Sequence, residues 1–167
     1  MRQLDRLYTV AGYAAAFFLT MIAIVILAQI GGRLFGFVVT DGDEIAAWCM
    51  ASSSFLALAH TFRRGDHIRV SLIIDRLRPG GRRGAELWCL AVGSVVTAVF
   101  AVYTVDFVWG SFLYDERSVG RLALPLWVPQ SGMAAGAVLI ALAMAGELVR
   151  VLRGGAVQTT LDAARTE

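Results

Sequence analysis

Charge is absent from four long stretches of this chain, and that constrains the fold more than anything else in the sequence. Leu7–Gly32 runs 26 residues without a charge, Ile45–Phe62 18, Leu87–Val105 19 and Leu122–Gly146 25. A hydrocarbon core of roughly 30 Å needs about 20 apolar residues as helix. Inside that core every backbone amide must be paired within its own segment, which makes the helix the natural form. A soluble helical protein would instead show apolar stripes on otherwise polar helices. The fold expected is all-α and integral to the membrane. Four transmembrane helices at about 8–30, 44–62, 86–113 and 126–152 form one membrane domain over 1–153, and a tail at 154–167 is expected to be disordered. With 57% apolar residues and a mean hydropathy of +0.66, the 167 residues leave no room for a separate soluble domain.

The basic residues then orient the helices. All fifteen are Arg. Seven of them (Arg63, Arg64, Arg69, Arg76, Arg78, Arg82 and Arg83) lie between spans two and three. Arg2 and Arg6 precede span one, and Arg150, Arg153 and Arg165 follow span four. Only Arg33, Arg117 and Arg121 fall on the other side, among Asp41, Asp43, Glu44, Asp115 and Glu116. Twelve against three predicts that both termini and the middle loop are cytoplasmic. Orientation and anionic headgroups account for the Arg-rich loop, so membrane lipid is the expected contact and nucleic acid is not. The first apolar run is too long for a signal peptide and lacks a cleavage site, so it reads as a retained helix.

Within the middle loop, Val70, Ile73, Ile74 and Leu77 recur at helical spacing from His67 to Arg78, with Arg and Asp around the rest of the circumference. This predicts a short amphipathic helix at about 67–78, ended by Pro79-Gly80-Gly81 and lying along the headgroup boundary. Span one is expected to end at Gly31-Gly32-Arg33. Asp41, Asp43 and Glu44 sit where the second helix begins, and negative charge is favoured at a helix N-terminus. Ser52, Ser53 and Ser54, in the middle of span two, can bond a carbonyl of their own preceding turn, so they need not mark a pore. Asp106 is flanked on both sides by apolar residues. It is either an ion or coupling site or a residue near the outer surface, beside Trp109 and Phe112, that reaches water or an Arg; the second reading is preferred.

Small residues mark where helices can approach closely. Gly132 and Gly136 form a G-x-x-x-G pair in span four, and Ala137, Ala141 and Ala145 repeat the four-residue step on a neighbouring face. Gly12 with Ala16, and Ala47 with Ala51, do the same in spans one and two. Close backbone approach is how membrane helices associate where apolar contact alone gives little preference. These faces are candidates for packing within the bundle or against a partner.

No catalytic, phosphate-binding or metal motif occurs, so the chain is not expected to be an enzyme or to hold a cofactor or metal. Cys49 and Cys89 lie within spans two and three and read as small apolar packers rather than a disulfide. The two His, His60 and His67, belong to one short stretch, which fits a haem poorly. Paired charges and broken helices of a self-sufficient transporter are also missing from the spans.

Glu44-Ile45-Ala46-Ala47-Trp48, followed by Phe62-Arg63-Arg64-Gly65-Asp66-His67-Ile68-Arg69-Val70, resembles the small permease subunit of tripartite ATP-independent periplasmic (TRAP) transporters. Leu124-Pro125-Leu126-Trp127-Val128-Pro129-Gln130 is similar to that family's approach to its fourth helix. The resemblance covers roughly residues 10–153, and Glu44, Trp48, Arg64, Gly65, His67, Pro125, Trp127 and Pro129 match its motif. It implies a large many-spanning permease subunit as partner and a periplasmic solute-binding protein that delivers an organic acid. It also implies a sodium gradient as driving force, with the sodium and substrate sites on the large subunit, and architectural roles for the matching residues. The competing reading is the anchor subunit of an electron-transfer complex or a small self-assembling exporter.

Overall fold

The computed structural model describes residues 2–64 and 79–154, all but the connections of which are helical. α1 spans Arg2–Leu34, α2 Gly42–Arg64, α3 Pro79–Leu113 and α4 Trp127–Leu152. All four are long and apolar enough to cross a membrane. The expected amphipathic helix at 67–78 and the tail beyond Gly154 lie outside the described residues.

The helices run past the apolar stretches. At a rise of 1.5 Å per residue, α1 and α3 measure about 50 Å, longer than the bilayer core, so their charged ends reach the headgroup region. Hydrogen bonding carries a helix on through charged residues that still favour it, which is why charge boundaries underestimate helix length. Two breakers also act differently from expectation. Pro79, Gly80 and Gly81 form the first turn of α3, where proline's missing N–H would be unpaired in any case. α1 continues through Gly31-Gly32-Arg33 and stops at Gly36, which is left-handed (φ 80°). There Phe37 N–H reaches Gly32 O at 3.0 Å and Gly36 N–H reaches Arg33 O at 3.4 Å, the paired bonds of a glycine-terminated helix.

The packing is a row rather than a closed bundle. α1 lies against α2, α2 against α4 and α4 against α3, in the order α1-α2-α4-α3. α2 and α4 run in the same direction, because Gly132 meets Ser52, Gly136 meets Phe55 and Leu56, and Ala143 meets Ala59 further along. Two apolar clusters occupy the seam: Tyr8, Ala59, Ile140 and Ala143, and beside them Ala11, Ala15 and Leu56, with Leu139 packed against both. α3 joins through Gly93, which seats the Met144 methyl, and through the stacked rings of Phe55 and Phe100, 5.4 Å apart.

Candidate functional site

The end of the molecule where α2 and α4 begin, termed the Glu44 end, carries a polar clamp. Its three carboxylates each hold a different piece of chain. Asp41, itself left-handed (φ 57°), accepts the backbone N–H of Leu122 at 2.8 Å. Asp43 accepts Gln29 Nε2–H from α1 at 2.9 Å. Glu44 accepts the Ser118 hydroxyl, which in turn accepts Gly120 N–H at 3.1 Å. A Cβ on Gly120 would stand 2.5 Å from Glu44 Oε2 and 2.8 Å from Asp41 Cγ, so a side chain there would push the carboxylates of the clamp aside.

The α3–α4 loop is braced internally as well. Ser118 N–H bonds Leu124 O and Leu126 N–H bonds Glu116 O, both at 2.9 Å, while Arg117 and Pro125 form an isolated antiparallel bridge. Ser111, 1% exposed, donates to Glu116 Oε2 at 2.7 Å. The acids at the start of α2 thus satisfy first-turn electrostatics and lock two loops together. Among the described residues no group of three or more His, Cys, Asp or Glu comes together as a metal set.

Below the clamp an apolar groove of about 430 Å³ opens between α1, α2 and the start of α4. Trp48, Pro125 and Pro129 form its walls with Phe18, Ile45 and Gly132. The structure therefore gathers four of the matching motif residues at one end, Glu44 in the clamp and Trp48, Pro125 and Pro129 around the groove. Trp127 turns away and meets Phe112 edge-on at 5.7 Å, between α3 and α4. Arg64 closes α2, and its side chain, with Gly65 and His67, lies outside the described residues.

The small-residue face of α4 is used inside the chain. A Cβ on Gly132 would collide with Ser52, and one on Gly136 would stand 2.5 Å from the Phe55 carbonyl carbon. Ala137 is fully buried and Ala141 half-buried, whereas Ala145 faces outward. In α1, Gly12 accommodates the His60 ring, and Ala16 is exposed, as is Ala47 in α2.

Ser52 and Ser53 of α2 use neighbouring helices rather than the carbonyls of their own preceding turn. Ser53 donates across to Ala15 O of α1 at 2.9 Å, and Ser52 points to Pro129 O of α4 at 3.5 Å. The neighbours lie close enough for this because alanine and glycine face the hydroxyls. His60 Nδ1 lies 2.8 Å from Tyr8 O; a carbonyl can only accept, so this nitrogen carries the proton. At the opposite end, Glu147 is 5% exposed and holds Arg150 through two contacts, at 2.6 and 3.0 Å. The Glu-x-x-Arg spacing was the signal for that pair. Nothing local in the sequence indicates the Ser118–Glu44 bond, whose partners are 74 residues apart. Cys49 is buried and Cys89 exposed, and both are free.

Residues 8–154 match the family model for tripartite ATP-independent periplasmic transporters, DctQ component. The chain belongs to the DctQ family. It is the small membrane component of a TRAP transporter, a multi-pass membrane protein with four apolar helices. No curated protein matches it.

Proposed function

We propose that this DctQ component is the fixed frame on which the large permease subunit of its transporter moves. The observation that carries this reading is the use made of polar groups between helices. Ser53, His60, Ser118 and Glu44 each tie one chain segment to another, an arrangement suited to holding helices still. The family supplies the rest of the proposal: a binding protein delivers an organic acid, a sodium gradient drives its uptake, and both sites lie on the large subunit. The chain itself contributes no catalysis and binds no cofactor. Its place is the bacterial inner membrane with both termini cytoplasmic, which puts the Glu44 end on the periplasmic side.

Expressed alone and reconstituted in vesicles, the chain should give no uptake. With its large permease it should purify as a stable heterodimer that takes up solute only with the binding protein and a sodium gradient. Saturable uptake by the lone chain would overturn the reading. Orientation is checked separately by thiol labelling of intact cells in a background lacking Cys49 and Cys89. A cysteine at Val38, which is exposed in the α1–α2 connection, should be labelled from outside, and one at Arg153 should not.

A further inference from the structure

Asp106 is the one carboxylate without a partner among the acids whose side chains the structure describes. Asp41, Asp43, Glu44, Asp115, Glu116 and Glu147 all hold hydrogen bonds, and Glu86 also has a partner. Asp106 is exposed on α3, seven residues before the helix ends at Leu113, a depth of about 10 Å at the helical rise. It lies a turn further in than the aromatic cluster of Trp109, Phe112 and Trp127. Tryptophan and its aromatic neighbours favour the membrane–water boundary, so this carboxylate faces the apolar side of that boundary. Aspartate has a single methylene and little reach back to water.

The surroundings specify what kind of group can meet it. Tyr103, Asp106, Gly110 and Leu113 follow helical spacing along one stripe, with Tyr103 71% and Leu113 64% exposed. A Cβ on Gly110 would find nothing within 4 Å, so nothing in this chain's own packing requires glycine there. α3 is an outer member of the row, packed mainly on α4 and reaching α2 through the Phe55–Phe100 stack, which leaves its other face uncovered within the chain. A lone carboxylate amid aromatic and aliphatic side chains lacks the oxygen ligands that a bound metal cation needs. A small residue one turn from an ionised group is instead what a crossing helix requires: room for its backbone and an acceptor for its side chain.

We propose that the outward face of α3 around Asp106 and Gly110 is where a transmembrane helix of the large permease docks, with a cationic side chain of that helix meeting the Asp106 carboxylate. This rests on the partner reading above and adds the surface and its chemistry.

The test uses the co-expressed complex. A photo-crosslinking residue at Tyr103 should capture the large permease. Gly110→Leu and Asp106→Leu should each lower the amount of permease that co-purifies by roughly three- to thirtyfold, the range for one interhelical contact in a membrane. Both should leave the lone chain's thermal unfolding unchanged, and Asp106→Glu should restore much of the binding. Gly146→Leu, also in open space but on α4, serves as the control. If the wild-type complex forms but Tyr103 captures no permease and both variants co-purify normally, the surface is wrong and the partner reading stands. If no wild-type complex forms, both fail. If Asp106→Leu keeps the permease but loses bound phosphatidylethanolamine in native mass spectrometry, a lipid amine is the occupant and the proposal is overturned.

Discussion

The inner pair of helices, α2 and α4, and the outer pair, α1 and α3, are all apolar enough to span a membrane but have opposite surroundings. Of the most apolar window in each span, 33% is buried in α4 and 28% in α2, against 17% in α3 and 11% in α1. The inner pair is joined through Gly136, which meets the Phe55–Leu56 backbone, and Gly132, which seats the Ser52 side chain. The outer pair is attached through side chains: α1 by Ser53, His60 and the alanine clusters, and α3 by Met144, Thr97 and a stacked phenylalanine. Lipid solvates an apolar side chain as well as a protein neighbour does, so apolarity alone cannot sort helices into a layer. Close approach and hydrogen bonding can, and these distinguish the two pairs.

The largest effect should come from wedging the inner pair apart. Gly136→Leu places bulk against the Phe55 backbone, which has no flexible end to move aside. The expected loss is about 3 kcal/mol, at the upper end for overpacking. Gly146→Leu in the same helix should stay within about 0.5 kcal/mol, because no atom lies within 4 Å of its added Cβ. Thermal unfolding of the purified chain in detergent measures both. Equal losses would show that α4 is not held through its glycine face.

A smaller effect should follow release of the clamp at the Glu44 end. Glu44→Ala strips the buried Ser118 hydroxyl of its charged acceptor, worth about 1–2 kcal/mol. The 114–126 loop should then become sensitive to protease while α1 stays in place, because α1 is tied through Asp43 and Ser53 instead. Cleavage within α1 would show that the two attachments are not separate.

The smallest effect should come from the outer attachment of α1. Ser53→Ala removes the hydroxyl bond to Ala15 O, and such interhelical bonds average about 0.6 kcal/mol in membranes. A disulfide-trapping pair across α1 and α2 should form somewhat more slowly in that variant. A loss as large as that of Gly136→Leu would erase the distinction between inner and outer helices.

Much of this was legible in the residues. Four uncharged stretches suffice for four membrane helices, because hydrocarbon leaves a backbone no other means of pairing its amides. The motif around Glu44, Trp48, Pro125 and Pro129 was enough to point to the family that residues 8–154 match. Helix ends were less legible: Gly31-Gly32 looks like a stop, but the left-handed turn forms at Gly36, and α3 already begins at Pro79, ahead of the start expected at about 86. Small-residue spacing marked faces that could pack without distinguishing those that do. Gly132 and Gly136 face α2, while Ala16, Ala47 and Ala145 face outward.

The sequence by itself determined that this chain lies in a membrane, how many times it can cross and which family it joins, since these follow from local hydropathy and short motifs. Only the tertiary structure decided the order α1-α2-α4-α3 and the pairing of Glu44 with Ser118. It also decided the turn of the serines toward neighbouring helices and the isolation of Asp106 on an outer face. Each of these depends on which surfaces meet across tens of residues. In a bilayer that choice is made by shape and a few hydrogen bonds, to which an apolar pattern is blind.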